Sequence, residues 1–478
     1  MVAVGHDVDL ADVQGNILRG YRKKYVRHLV LSIHDAASAR LWLKNASSGD
    51  GALAPQVTTA APWDEKPSTC LNVGLSHRGL RVLGVDAVSL ASFPHEFVGG
   101  MASRALKLGD VGPSDPSQWK SEWRDPRGVH LVVTVHADDV AQLDDVTERI
   151  TGPKNSRAFV ELARLDGVGF DEGYVHFGYR DNIAEPHFEF IRDPQDRPDC
   201  QPLVEVGAVL LGYANPVEDV RWEVPEPRVL GFNGSFNAFR VLEQRVVEFE
   251  EFLSEAADTI MSDPLGEELL PLGTENTWQP PVSRREALRE MVAAKILGRW
   301  RSGVPLELSP LSPTPDPPID YGRFNAFGFA DDPNGLRCPM ASHVRRCNPR
   351  DGRIVQRNTN HARRLVRRGI PYGPPFNPEA PDDVERGLLG VFLCGSLIAQ
   401  YEAVQYDWVN LGLQDPRITG TNDPVIGNND AQFSSFTLPV GDSSIQLRGF
   451  PRFVHTRGGE YLFLPSLSAL RYLGALGH

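Results

Sequence analysis

The sequence predicts an α+β protein made of two similar halves, each an antiparallel sheet with helices on one face. The chain has 478 residues, more than the roughly 250–300 residues that one hydrophobic core usually serves. Apolar strand patterns followed by helical patterns recur in both parts of the chain. These units are few and widely separated, which favours two antiparallel halves over one parallel, doubly wound sheet.

The first half, residues 1–225, contains two strand-then-helix units. Residues 27–34 are rich in Val, Leu and Ile, and apolar residues at helical spacing follow at 37–43. Residues 129–136 alternate between two faces, as a strand does, and residues 140–150 again show helical spacing.

The second half, residues 226–478, repeats this organisation. Its predicted strands are 236–242, 388–393 and 461–464, and its predicted helices are 246–253, 285–300, 398–408 and one near the C-terminus. The boundary falls in the irregular segment PVEDVRWEVPEPRVLGFN, residues 216–233, because prolines interrupt both helices and central strands.

The chain is acidic but carries one basic segment. It has 49 Lys and Arg against 62 Asp and Glu, a formal charge of −13. Binding to a nucleic-acid backbone needs clustered cations, so this balance argues against DNA or RNA as the main partner. The exception is a basic island of arginines, namely Arg345, Arg346, Arg350, Arg353, Arg357, Arg363, Arg364, Arg367 and Arg368. It predicts a local anion or a local structural task.

The composition predicts a cytoplasmic protein without a membrane span. The five cysteines, Cys70, Cys200, Cys338, Cys347 and Cys394, are odd in number and form no CxxC, which is typical of a reducing compartment. No apolar run approaches the roughly 20 residues of a membrane span. The N-terminus has neither a basic n-region nor an apolar h-region, so a signal peptide is not expected.

The segment GLRCPMASHVRRCNPR, residues 335–350, concentrates candidate chemistry. Pro339 is placed to begin a helix with Met340 and Val344 on one face and His343 beside them. His343 has two interpretations, a core imidazole bonded to a carbonyl or a metal ligand. One imidazole, cations for two carboxylates and apolar walls are the components of a haem pocket. A phosphate site is the alternative for the arginines, although the chain has no GxxxxGK loop.

Seven segments, in order from residue 11 to residue 471, carry a resemblance to a known family. They include ADVQGNILRGY (11–21), FGYRDNIAEP (177–186), CPMASHVRRCNPRD (338–351), LVRRGIPYG (365–373) and FVHTRGGEYLFLPSLSALR (453–471). The chain resembles the dye-decolorizing peroxidases, of the larger type without a secretion signal. The resemblance implies a pair of ferredoxin-like α+β halves, with haem b held mainly by the C-terminal half.

The resemblance also implies catalytic residues. His343 matches the proximal haem-iron ligand, Asp181 the distal acid–base residue, and Arg367 the distal arginine, with Arg368 beside it as the alternative. A carboxylate in that position moves a proton between the peroxide oxygens, and a guanidinium stabilises the developing negative charge. An arginine beside Asp181 should lower its pKa, so turnover is expected to favour acidic pH.

Other positions are carried over from the same resemblance. The expected cofactor contacts are Arg350, Arg368, Leu388 and Asn182. Tyr372 and Trp408 match surface positions proposed to pass electrons from large donors, with plain packing as the alternative for each. The proximal imidazole needs an acceptor for its second N–H, and the candidates are Asp423 first, then Glu402 and Glu460.

Two positions depart from the family pattern. Asn182 stands where the GxxDG motif ends in Gly, and Asn tolerates left-handed backbone better than most residues. Gly390 stands two residues after Leu388, where the family usually carries Phe. Loss of that phenyl group is expected to enlarge the cavity above the haem.

The sequence therefore predicts a haem peroxidase that reduces hydrogen peroxide and oxidises bulky organic one-electron donors such as dyes and phenolics. The alternatives are a specialised haem oxidase or peroxygenase of a biosynthetic pathway, and a non-catalytic haem carrier or sensor. The expected partners are hydrogen peroxide and a small organic reductant, with no nucleic acid and no membrane. The oligomeric state stays open, with a homodimer as one candidate.

Overall fold

The computed structural model describes residues 8–125, 127–188, 203–215, 221–353 and 363–477. Arg357 of the basic island and Cys200 lie outside these residues. Within the described ranges, no helix combines the length and the apolar character that crossing a bilayer requires.

The first half is a four-stranded antiparallel sheet with two main helices. Its elements are β1 Tyr25–Ile33, a helix Ala36–Ala46, β2 Thr69–Leu75, β3 Leu131–Ala137, a helix Val140–Thr151 and β4 Phe159–Val168. The strand order is β4-β1-β3-β2, and all three neighbouring pairs are antiparallel. Both helices begin after an aspartate, Asp35 or Asp139, whose side chain accepts a backbone N–H of the first turn. This is the predicted ferredoxin-like arrangement.

The second half repeats the same order of elements. Two short strands, β5 His187–Phe188 and β6 Leu203–Val204, form a parallel pair before it. Its elements are β7 Ser235–Gln244, helices Val246–Met261 and Arg284–Leu297, β8 Val366–Arg367, β9 Ile370–Tyr372, β10 Gly387–Cys394, a hairpin of β11 Ser435–Val440 and β12 Ser443–Arg448, and β13 Val454–Leu464. The order β13-β7-β10, with β8 and β9 beside β10, is again ferredoxin-like, so the predicted fold class is confirmed.

The two halves share one sheet. β2 pairs with β13 at Leu75 and Phe463, which joins the halves into nine strands. At the other end β4 approaches β9, where a Cβ added to Gly167 would overlap the side chain of Ile370. The predicted boundary between residues 225 and 226 falls before the short helix Arg228–Gly231 and stays a prediction.

The remaining helices are short and mostly connect the strands. They are Gly15–Leu18, His77–Val82, Ala87–Ala91, His95–Gly99, Ala105–Leu108, Arg228–Gly231, Gly266–Leu269, His343–Cys347 and Leu467–Ala475. The predicted helix over 398–408 is present, but it is wound as two π-helical segments, Leu397–Glu402 and Val404–Asn410.

The prediction that Pro339 begins a helix is wrong. Pro339 lies in a turn, in which the backbone N–H of Ser342 donates to the Pro339 carbonyl at 3.0 Å. The helix begins only at His343 and is five residues long. His343 therefore stands in the first turn of a short helix.

Candidate functional site

An inner cavity of about 340 Å³ lies against the β7, β10 and β13 face of the sheet. Alternate residues of a strand share one face, and the cavity is lined accordingly by Leu242 of β7, Leu388 and Phe392 of β10, and Val454 of β13. His343 forms part of another wall. The side chain of His343 is 23% exposed, so one edge of the imidazole is open to the cavity.

The helix that carries His343 is held by two arginines of the basic island. Arg345 donates to the Cys338 carbonyl at 2.7 Å and pairs with Asp332 at 3.1 Å. Arg346 is fully buried and donates to the Trp408 and Thr421 carbonyls at 3.0 Å each. Five residues of helix have little stability alone, so these bonds fix the position of the imidazole.

Asp423 is the partner of the His343 ring. Its Oδ2 lies 3.0 Å from His343 Nδ1 and its side chain is fully buried. Its Oδ1 accepts the backbone N–H groups of Val425 and Ile426 at 2.8 and 2.9 Å. A carboxylate can only accept, so Nδ1 carries the proton and Nε2 keeps the lone pair that binds a metal.

Two other carboxylates, Glu402 and Glu460, have different partners. Glu402 accepts from Arg104 at 2.8 and 2.7 Å and from Tyr461 at 3.0 Å. Glu460 accepts the backbone N–H of Met101 at 3.0 Å. Asp423 is thus the carboxylate, of these three candidates, that the fold brings to His343.

Cys347 also lies near the imidazole. Its Sγ is 3.8 Å from His343 Nδ1, one helical turn along the chain. Burial lowers the pKa of His343, but Cys347 and the Asp423 carboxylate outweigh burial and raise that pKa well above its usual value. His343, Cys347 and Asp423 form a cluster whose ligand atoms could hold a metal ion, yet Nδ1 is the nitrogen already bonded to Asp423.

Asp181 and Arg367 meet at the mouth of the inner cavity. Arg367 Nη1 lies 3.3 Å from Asp181 Oδ1, and their side chains are 41% and 36% exposed to the cavity space. Burial raises the pKa of Asp181, but the charge of Arg367, the Asn182 backbone N–H and the Arg367 hydrogen bond outweigh it, so the pKa lies below its usual value. The carboxylate therefore stays ionised in mildly acidic conditions.

A turn positions Asp181. Its backbone N–H donates to the Gly173 carbonyl at 2.9 Å. Asn182 follows with φ of 60°, in the left-handed region that Asn tolerates. The side chain of Asn182 is exposed and lines the outer cavity described below, not the inner one.

An outer cavity leads from the surface to the same place. Its walls include Asp171, Tyr174 and Tyr321. Asp181, Arg367 and Leu388 line both cavities, so they stand where a small molecule passes from one to the other.

The structure contradicts the prediction that Arg368 contacts the cofactor. Successive strand residues point to opposite faces, so Arg368 turns away from the side that Arg367 occupies. It donates to the Asn16 carbonyl at 3.0 Å and pairs with Glu185. Arg367 is the member of the pair that reaches the inner cavity.

Several buried or half-buried guanidinium groups line the inner cavity. They belong to Arg299, Arg350, Arg363 and Arg364. Burial, with the charges of Arg299 and Arg364, lowers the pKa of Arg350 to about 9. Burial also lowers the pKa of Arg299, to about 10. Arg363 pairs with Asp407 at 2.8 Å. The concentration of positive charge at this wall would attract the two propionate groups of a haem.

The inner cavity therefore fits haem b by its own chemistry. His343 offers Nε2, Arg350 and its neighbours offer cations, and Leu388, Phe392 and Val454 offer apolar walls. The buried Oδ1 of Asn348, which also lines the cavity, has no hydrogen-bond partner among the described residues. A polar group of the cofactor would satisfy it.

The expected enlargement at Gly390 is not found. A Cβ at residue 390 would lie 2.6 Å from Cε2 of Phe392. The Phe392 ring therefore lies in the volume that a side chain at 390 would use.

Trp408 is not a surface residue, contrary to the prediction. It is 1% exposed and packs with Val404 and Val409, with the Arg363 guanidinium 4.8 Å from its ring centre. This burial agrees with the packing alternative that the sequence left open for Trp408. Tyr372 is partly exposed and donates to Glu385 at 2.9 Å.

Sequence reasoning missed Arg299 and the ion pair of Asp110 with Arg240. Arg299 donates to the Gly303 and Phe324 carbonyls at 3.0 and 2.7 Å. Arg240 Nη2 lies 2.6 Å from Asp110 Oδ1, and both side chains are buried at the cavity wall. Arg240 stands inside an apolar strand pattern, and a charge in such a pattern is the signal that could have found it.

Comparisons with known proteins place the chain in a family. Residues 12–168 match the family model of the DyP dimeric alpha+beta barrel domain. The dye-decolorizing peroxidase msp1 of Mycetinis scorodonius is 30% identical, over 97% of this chain and 87% of that protein. The multifunctional dye peroxidase DyP2 of an Amycolatopsis species is 28% identical, over 97% and 96% of the two chains. A solved dye-decolorizing peroxidase in complex with 2,6-dimethoxyphenol aligns with TM-score 0.78 and 27% identity, over 98% of this chain and 100% of that one.

The fold and the site define a haem-binding α+β barrel protein. The chain belongs to the dye-decolorizing peroxidase family. It is a haem peroxidase, and its cofactor is haem b.

Proposed function

We propose that Asp181 and Arg367 are the residues that cleave hydrogen peroxide, over a haem b whose iron is bound by Nε2 of His343. The observation that carries the proposal is the 3.3 Å ion pair of Arg367 with Asp181, at the mouth of the cavity that His343 lines. The pair is open to that cavity, and the outer cavity gives peroxide a path to it.

Each of the two residues has a separate task. The Asp181 carboxylate takes the proton from the inner oxygen of hydrogen peroxide and delivers it to the outer oxygen. The O–O bond then breaks, and the outer oxygen leaves as water. Arg367 stabilises the negative charge that develops on the peroxide oxygens before the proton arrives. When bound, haem b would supply the two electrons that the cleavage needs, and organic donors would return them one at a time.

Other residues hold the cofactor. Asp423 fixes the tautomer and the orientation of His343. Arg350 and Arg364 line the inner cavity and would hold the propionate groups, and Leu388 would form part of the apolar wall beside the cofactor. Tyr372 is partly exposed and is the better placed of the two aromatic candidates for electron transfer to donors that stay outside.

The donors are bulky phenols and dyes. This part of the proposal is supported by the relative that is solved in complex with 2,6-dimethoxyphenol and by the names of the curated relatives. Haem-loaded protein should oxidise 2,6-dimethoxyphenol and an anthraquinone dye only when peroxide is present. Haem-loaded protein that oxidises neither donor at any pH between 3 and 7 would contradict the proposal.

The two alternatives are less well supported. A peroxygenase that uses an enlarged pocket depends on open space at Gly390, which the Phe392 ring fills. A haem carrier or sensor has no use for an ionised Asp181 beside Arg367. Peroxide reactivity that survives Asp181→Asn and Arg367→Ala undiminished would favour the carrier.

Cytoplasmic residence is part of the proposal as well. It is supported by the described cysteines, Cys70, Cys338, Cys347 and Cys394, which are all free thiols. Fractionation of the producing cells should recover the protein with cytosolic markers, and recovery from the culture medium would contradict this assignment.

A further inference from the structure

On the face of strand β10 that lines the inner cavity, one position in the row of side chains is empty. Leu388, Gly390 and Phe392 share one face of the strand because they are two residues apart. Leu388 and Phe392 line the cavity and are only partly buried, whereas Leu389, Val391 and Leu393 on the other face are at most 5% exposed. Between the two lining side chains, Gly390 contributes none.

The ring of Phe392 occupies the gap. A Cβ at residue 390 would lie 2.6 Å from Cε2 and 3.1 Å from Cζ of Phe392, closer than packed carbon atoms approach. The ring therefore leans back along the strand over Gly390, towards Leu388. Any larger residue at 390 would displace it.

The backbone does not require glycine at this position. Gly390 lies in regular β10 pairing, opposite Arg240 of β7, and is not among the glycines with positive φ. The close approach of the Phe392 ring therefore explains why residue 390 is glycine.

Neighbouring groups hold the ring from the other side. The Phe392 ring centre is 5.4 Å from that of Tyr401, with the planes tilted by 38°. The backbone N–H of Phe392 donates to Asn237 Oδ1 at 3.1 Å, which fixes the strand at this residue. The ring is thus packed between Tyr401 and the bare backbone of Gly390.

We propose that the Phe392 ring determines which molecules enter the inner cavity. The absence of a side chain at Gly390 leaves the space that the ring occupies. The ring leaves room for peroxide and excludes aromatic molecules from the space beside Leu388. Bulky donors are then oxidised from outside the cavity. The inference rests on the proposed haem site, because it concerns which molecules reach that site.

Ligands of graded size test the wall. Imidazole and 4-phenylimidazole bind ferric haem through the same nitrogen and differ by one phenyl group, and each shifts the Soret band. Phe392→Ala should lower the Kd of 4-phenylimidazole relative to that of imidazole by roughly tenfold or more, since a phenyl group gains a buried site. Phe433→Ala is the matched control, because Phe433 is 82% exposed, and the ratio of the two Kd values should not change.

A swap variant separates loss of volume from loss of stability. Phe392→Ala combined with Gly390→Phe restores one ring to the same space, and the Kd ratio should return to within about threefold of the wild-type value. Phe392→Ala protein that takes up haem but keeps the wild-type ratio would overturn the inference.

A crystal structure of Gly390→Ala tests the inference even when no haem is bound. In Gly390→Ala the Phe392 ring should be displaced from its wild-type position, and a ring that stays in place would overturn the inference. Wild-type protein that takes up no haem would instead contradict the proposed function. The position of the Phe392 ring in Gly390→Ala could still be determined in that case.

Discussion

At the scale of single residues, the central feature is the charge pair of Arg367 and Asp181. The resemblance predicted both residues, because it covers the segments in which they lie. It gave Arg367 first and Arg368 as the alternative, and two adjacent strand residues differ by the face on which they fall. In the short strand β8, Arg367 faces the inner cavity, whereas Arg368 lies on the opposite face and pairs with Glu185.

The acid limb of the pH profile depends on Arg367. Proton transfer needs Asp181 ionised, and the Arg367 charge helps to keep its pKa below the usual range. Peroxide reactivity should therefore persist into acid and fall only as the pH drops through that lowered pKa. In Arg367→Ala the effect of burial remains without the cation, so the pKa of Asp181 rises and the acid limb moves to higher pH.

The matched control is Arg448→Ala, an exposed arginine at the end of β12. Its profile of the peroxide reaction rate against pH should superimpose on that of the wild type. If the acid limb of Arg367→Ala falls at the same pH as that of the wild type, a group other than Asp181 controls the pH dependence of the peroxide reaction.

At the scale of elements, part of the regular structure could be predicted from the sequence. Alternation and helical spacing predicted β1, β3, β7, β10, the end of β13 and the main helices, but they did not predict β2 or β4 of the first half. The five-residue helix at His343 was not predicted with its correct start, because its place is set by the contacts of Arg345 and Arg346 with other segments and not by apolar spacing within the helix. The π-helical winding of Leu397–Glu402 and Val404–Asn410 likewise has no simple sequence pattern.

Arg346 should contribute strongly to the stability of the His343 helix. It is fully buried and donates to three backbone carbonyls, those of Ala341, Trp408 and Thr421. Arg346→Met leaves these acceptors without donors, and the free energy of unfolding should fall by about 2–4 kcal/mol.

Urea unfolding of the haem-loaded protein measures this change. Arg448→Met, the same substitution at an exposed site, should stay within about 0.5 kcal/mol of the wild type. Equal losses in the two variants would mean that Arg346 does not anchor the helix.

At the scale of the whole molecule, both halves build the cavity wall. The sequence predicted that the C-terminal half holds the haem, and most lining residues do come from it. The first half adds the predicted Asp181 and also Asp110, which pairs with Arg240 of β7 at 2.6 Å. A pairing between such distant segments has no local sequence signal, so the partner of Arg240 could not be predicted.

Removal of Asp110 should weaken the junction of the halves. Asp110→Ala leaves the buried Arg240 charge without its carboxylate, and the free energy of unfolding should fall by about 3–5 kcal/mol. Adding Arg240→Met removes the stranded charge and should recover part of that loss. Thermal unfolding of the single and double variants distinguishes the two cases, and a double variant less stable than Asp110→Ala would refute this explanation.

The most direct test of the central claim is the rate at which haem-loaded protein reacts with hydrogen peroxide, followed by stopped-flow absorption in the Soret region. If Arg367 stabilises the charge on the departing oxygen, Arg367→Ala should react about 10²–10³-fold more slowly than the wild type, with an unchanged Soret band before mixing. An Arg367→Ala protein that is fully loaded with haem and reacts at the wild-type rate would contradict the assignment of Asp181 and Arg367 as the catalytic pair.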